Sequence, residues 1–176
     1  MDLNQFWTVL YSTHGHENRA EALKALLMAL PDHEIVRFRI RYDDVLLLAN
    51  TVDLWGAAHQ INAGCSDDDF YYFREGVIER GRQFFEAAIK DPDGLAAFVT
   101  PPERLEGMEA FSQVPMLAWV EKTGLDENEF YSAVDAMDES SERSGIEEGE
   151  HWDFGDPEEV RHRLPRLAKL YIPAGA

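Results

Sequence analysis

The sequence predicts an all-α fold, a single domain forming a compact array of about eight to ten helices. Three observations predict it. Apolar residues recur three and four positions apart along most of the chain, which gathers them on one face of a helix. The runs open on capping residues and close on glycine or proline. No segment shows the period-two alternation of a half-buried strand, and there is no internal repeat.

Asn18-Arg19-Ala20-Glu21 reads as a capping box, ahead of Ala22, Leu26, Ala29 and Leu30 at helical spacing, with Pro31 as the stop. Asp32 is expected to cap the next helix, whose apolar face is Ile35, Phe38, Tyr42, Val45 and Ala49. Asp53 to Asn62 puts Leu54, Ala57, Ala58 and Ile61 on one side, and Gly64 ends it. Ser66 opens what reads as the longest helix, with Asp67, Asp68 and Asp69 in a first turn that favours carboxylates. Its core face is Phe70, Phe73, Val77, Gly81, Phe84 and Ala88, closed by Asp91-Pro92.

Shorter helices are expected over Pro92 to Phe98, Glu103 to Phe111 and Met116 to Lys122, the last stopped by Gly124. Asp126 and Glu129 make a second capping box before Phe130, Val134 and Met137. Asp156 caps a final helix with Pro157 at its first position, where the missing N–H costs nothing. That helix runs through Val160, Leu164 and Leu167, and Pro165 is expected to kink it.

With 176 residues and 45% hydrophobic side chains, the chain has enough apolar material for a core without a disulfide or metal staple. The net charge is −18 and the pI about 4.5, which argues against autonomous nucleic-acid binding because phosphates would be repelled. The charge is uneven. Asp126 to Asp156 carries −11, the preceding residues −9 and the following ones +2. Glu139 to Gly155 is rich in Glu, Ser and Gly and reads as a long loop, either solvating or a surface for a charged partner. The single cysteine suits a reducing compartment. The longest apolar run, Ala25 to Leu30, has six residues, against roughly 20 for a membrane span. Met1-Asp2-Leu3-Asn4-Gln5 lacks the features of a signal peptide. The expected location is the cytoplasm, with no membrane contact.

The densest polar and aromatic block runs from Asp53 to Asp69. On a helix Trp55, His59 and Asn62 share one face, which ends at a glycine turn beside Cys65 and the start of the next helix. Asp53, Trp55, His59, Asn62, Cys65, Asp67, Asp68 and Arg74 are the candidate ligand-binding residues. The same pattern also suits pure packing, with Trp55 under the turn and His59 and Asn62 cross-linking helices. Cys65 precedes a helix N-terminus, which favours a thiolate, but three neighbouring aspartates oppose it. Those aspartates point about 100° apart along a helix and lack an EF-hand pattern, so no metal is expected. Arg74 suits an ion pair with Asp53 or Asp67, or an anionic ligand. Arg37, Arg39 and Arg41 read as a solvated face pairing with Glu34, Asp43 and Asp44. His14-Gly15-His16-Glu17 is a loop pair without a third ligand nearby in sequence. No phosphate loop, nucleophile elbow, metalloprotease helix or zinc-type cysteine pair is present, so no catalytic residue and no cofactor is assigned.

Phe6-Trp7, Asp53-Leu54-Trp55-Gly56-Ala57-Ala58, Ile61-Asn62-Ala63-Gly64-Cys65-Ser66-Asp67-Asp68 and Phe73-Arg74 carry a family resemblance, continued by Gly81-Arg82, Phe85-Glu86-Ala87-Ala88, Asp91-Pro92-Asp93 and Leu164-Pro165-Arg166-Leu167. In these motifs the chain resembles the bacterial family called domain of unknown function 4240, over nearly its whole length. The resemblance implies a small soluble bacterial protein with no established activity; some members are joined to a WGR domain, for which this chain has no room. Two positions depart from the pattern. Ala63 stands where a second glycine is usual, and Gly76 where a tryptophan commonly follows the Phe-Arg pair, which implies a wider cleft there. Three readings follow: a non-enzymatic acidic interaction module with a basic protein partner, a small-molecule binder or enzyme around Trp55 to Asp69, and a block that is only a fold signature.

Overall fold

The computed structural model describes residues 1–107, 111–138 and 148–173. Among them are ten α-helices: α1 (Leu3–Tyr11), α2 (Arg19–Met28), α3 (Asp32–Leu48), α4 (Val52–Ile61), α5 (Asp67–Glu79), α6 (Arg82–Lys90), α7 (Val114–Thr123), α8 (Glu127–Met137), α9 (Pro157–Arg163) and α10 (Pro165–Tyr171). A 3-10 helix covers Pro92–Ala97. No strand is present among the described residues; Thr51 and Glu148 form an isolated bridge. The all-α expectation is met. None of these helices is long and apolar enough to cross a membrane.

Backbone contacts divide the chain into two units. The first comprises Met1–Leu47 and Glu109–Ser144. Its core is aromatic: the Phe6 ring lies 5.1 Å from Trp7, 5.0 Å from Phe38 and 6.3 Å from Tyr42. Fully burying one such side chain is worth about 1.5–3 kcal/mol, and Phe6, Phe38, Tyr42, Phe111 and Phe130 are all within 1% of complete burial. The expected pairs form along α3, Arg37 with Glu34, Arg39 with Asp43 and Arg41 with Asp44, each at 2.8 Å, but Arg39 is only 18% exposed, so the three do not make one solvated face. Arg39 also donates to the Ser112 carbonyl at 3.0 Å. Gly124 ends α7 in the left-handed conformation with φ 73°, and Asp126 and Glu129 form a full capping box on α8.

The second unit comprises Leu48–Met108 and Gly145–Ala176. Here α4 and α10 pack together with the 3-10 helix, and α9 leads into α10. The core face of α4 is the expected one: Leu54, Ala57, Ala58 and Ile61 are buried. Asp93 accepts from the Leu167 N–H at 2.9 Å and from the Arg166 N–H at 3.0 Å, so a remote carboxylate satisfies the open start of α10.

Several boundaries differ from the sequence expectations. Ser66 does cap α5, in a reciprocal box with Asp69, but the helix stops at Glu79. Gly81 adopts φ 95°, a conformation that glycine takes freely. The break resets the helical phase, so Phe85 rather than Phe84 is buried. The 17-residue α3 is therefore the longest described helix. Asp32 lies inside α3 instead of capping it, and its carboxylate accepts from the His33 N–H at 3.0 Å. Asn18 accepts from the Glu21 N–H at 3.2 Å, which is one half of the expected box. Pro165 divides the last helix in two, with Leu164 as the joint. Of the helix expected over Glu103 to Phe111, residues 103–107 are non-helical and 108–110 lie outside the described residues. Of the loop expected over Glu139 to Gly155, residues 139–147 lie outside the description and 148–155 are non-helical.

Candidate functional site

All eight candidate residues lie in the second unit, on α4, α5 and the turn between them. Thr51 caps α4 through the Leu54 N–H. At the other end Ala63 and Gly64 both take positive φ, 57° and 113°, and the chain reverses into α5.

Trp55, Cys65 and Arg74 come together. The Trp55 indole N–H donates to the Cys65 carbonyl at 3.1 Å. Its ring stacks on Phe70, 5.0 Å between centroids at 4°. On Phe70 in turn lies the Arg74 guanidinium, 4.8 Å from the ring centroid and 5.9 Å from that of Tyr71. Burial and the neighbouring Asp69 push the Cys65 thiol up to about 12, which disfavours the nucleophilic thiolate at neutral pH. Asp67 and Asp68 are exposed in the first turn of α5, while Asp69 closes the capping box. No group of three or more potential metal ligands occurs among the described residues.

Asn62 is spent elsewhere. Fully buried, it accepts from the Leu105 N–H at 3.0 Å and donates to the Leu105 carbonyl at 3.2 Å. This pins the segment expected to be helical alongside α5, where the Gly107 N–H donates to the Tyr72 carbonyl at 2.8 Å. A Cβ on Gly76 would lie 2.7 Å from the Glu106 carbonyl carbon, and one on Gly107 would lie 2.8 Å from the Gly76 nitrogen. The two glycines let two backbones cross in contact. Gly76 therefore opens no wider cleft: main chain fills the space.

Asp53 and His59 face a second partner, a strap formed by residues 148–155. The strap is tied at its start by Val52 N–H to the Glu148 carbonyl at 2.9 Å, and at its end by the Gln60 side-chain amide to the Phe154 carbonyl at 2.7 Å. Between these, Trp152 lies against Gly56, where any Cβ would overlap the indole. Its N–H donates to Asp53 at 3.2 Å, and Arg163 lies 5.6 Å from its ring. Phe154 meets Trp152 edge-on at 4.7 Å and reaches Trp55 and His59 at 6.0 and 5.9 Å. Burial lowers the His59 pKa below its ordinary value, partly offset by Asp153, so the imidazole is neutral at pH 7. Beside it a cleft of about 430 Å³ is lined by His59, Gly64, Phe154, Pro157, Tyr171 and neighbours. Burial and Glu103 raise the Tyr171 pKa, so that hydroxyl stays protonated. The arrangement offers an apolar wall and a neutral imidazole.

Trp152, Phe154 and Leu105 complete these contacts without standing among the residues the sequence pattern singles out. The available signal was two aromatics, Trp152 and Phe154, in an otherwise acidic, Gly-rich stretch. Leu105 left none, because it is recognised through its backbone.

No curated protein and no solved structure gives a match to this chain. A family model does match, over residues 1–121 of 176; it takes in α4, α5 and the Asn62–Leu105 pair and ends before the strap and the Leu164–Leu167 motif. The chain belongs to that family, described as protein of unknown function (DUF4240).

Proposed function

We propose that this protein is a non-enzymatic interaction module whose acidic surface receives a basic protein partner. One observation carries the reading: among the described residues most arginines are held by the protein's own carboxylates, while exposed carboxylates are left over. Arg82 is held by Glu86, Arg104 by Glu106, Arg161 by Glu158 and Lys24 by Glu121. Arg163 is shared by Glu150 and Glu159, and Arg166 by Asp91 and Asp93. Exposed carboxylates such as Asp67, Asp68, Glu127 and Asp135 face no cation among the described residues. With 34 acidic residues against 16 basic ones, the uncompensated field is negative, which steers a cationic partner in and discourages self-association. Such binding weakens as salt rises. Native mass spectrometry of protein isolated at low salt is the test. A basic protein retained at low salt and released by high salt supports the reading, and a bare chain at every ionic strength opposes it.

The cleft beside His59 favours a second reading, a binder of small molecules at the C-terminal end of α4. A mass excess of tens to hundreds of daltons in the same spectra, abolished by His59→Ala, would favour it over the first.

A further inference from the structure

We propose that the groove between α6 and the 3-10 helix binds a small amphipathic carboxylate, with its acyl or aryl body on Phe98 and its carboxylate on Lys90. The groove has a volume of about 320 Å³; its apolar walls are Phe84, Ala87, Ala88, Leu95 and Phe98, and Lys90 and Asp91 also line it. That is near the lower limit of roughly 300–1,000 Å³ for small-molecule sites. Phe98 is 55% exposed, although full burial of a phenyl ring is worth about 1.5–3 kcal/mol. It is held in place, edge-on to Phe84 at 5.2 Å, and Phe84 is backed by the Arg80 guanidinium at 5.2 Å.

The rim supplies the charge. Lys90, the last residue of α6, is exposed and makes no ion pair among the described residues. Glu86, one turn earlier and within helical reach, is turned to Arg82 at 2.6 Å. Asp91 gives both oxygens to Arg166, at 2.6 and 2.7 Å. Asp93 holds the Arg166 Nε at 2.8 Å. With the carboxylates engaged, Lys90 is the group left to meet a ligand, and it selects an anion. A place at a helix C-terminus explains a lysine there, but it does not explain an exposed phenyl ring lining the same groove.

Amide NMR of the whole protein, titrated with phenylbutyrate and with uncharged phenylbutanol, tests the proposal. Both probes should shift the amides of Ala87, Gly94, Leu95 and Phe98, with phenylbutyrate about fivefold the tighter, as one exposed ion pair allows. Lys90→Gln, at an exposed position, should bring phenylbutyrate down to the alcohol's affinity and leave the alcohol unchanged. Phe98→Ala should weaken both. No shift in those amides at millimolar probe would overturn the proposal, as would equal affinities that Lys90→Gln leaves untouched.

Discussion

Asn62 and Leu105 exchange two hydrogen bonds, 3.0 Å and 3.2 Å, in a fully buried position. One side chain thus performs the work of a strand pairing in an all-helical unit. Asn62→Ala leaves a buried N–H and a buried carbonyl without partners, at about 1–3 kcal/mol each. We expect a loss of about 2–4 kcal/mol in urea unfolding and loss of exchange protection at the Leu105 amide. Unchanged protection would show that the segment is held by something else.

Gly56 is the seat of Trp152. Gly56→Ala should displace the indole and cost about 1–3 kcal/mol, the usual penalty of overpacking. In Trp152→Ala the same glycine substitution should be nearly neutral. A double-mutant cycle reads the coupling directly; additive effects would dissociate the two residues.

Cys65 should be a slow thiol. With a pKa pushed up to about 12, its thiolate fraction at pH 8 is about a thousandfold below that of an ordinary cysteine near 8.5. Disulfide-exchange reagents should therefore react with the folded protein at least about tenfold more slowly than with the unfolded chain, the higher nucleophilicity of a high-pKa thiolate offsetting only part of the loss in thiolate fraction. The raised pKa also sets a sign. The protonated thiol's contribution to stability is complete below about pH 8.5 and declines as pH climbs from there toward 12. Cys65→Ser should flatten that alkaline decline.

His59 has the opposite sense. Its pKa is lowered by burial, so the neutral form belongs to the fold. Its contribution is complete above its ordinary value of about 6.5 and fades as pH falls through the lower folded value. In an NMR titration the His59 ring should change below pH 6.5, and His59→Gln should reduce the loss of stability on mild acidification. A midpoint above 6.5 would contradict the burial seen here.

Ala63 holds φ 57°, a left-handed conformation that costs a non-glycine residue about 1–2 kcal/mol. Ala63→Gly relieves that strain but adds unfolded-state entropy worth about 0.5–1 kcal/mol. We expect a net gain of about 0.5–1 kcal/mol and a Tm rise of a few degrees.

The helices were readable because their signals are local. Capping boxes such as Asp126 with Glu129, the apolar face of α4 and the left-handed stop at Gly124 are each fixed within one or two turns of chain. The failures came where distant backbone decides. Nothing near residues 103–107 announces that Asn62, 43 positions back, will claim Leu105 and prevent a helix. Gly81 read as a small residue on a helix face, although its positive φ ends the helix. The candidate block was found as a density of unusual residues, but its parts answer to different partners. Trp55, Cys65 and Arg74 form a stack around Phe70, Asn62 holds Leu105, and Asp53 and His59 meet a strap some 90 residues downstream. Only the folded chain separates these roles.

The most direct measurement is native mass spectrometry of the protein purified gently at low ionic strength, repeated across a salt series. The acidic-module account expects the 20.1 kDa chain to carry a basic protein that leaves as salt rises, and expects an Asp67→Asn, Asp68→Asn, Glu127→Gln, Asp135→Asn variant to retain less of it. A bare chain at every salt concentration, or a partner indifferent to both salt and those substitutions, would contradict it.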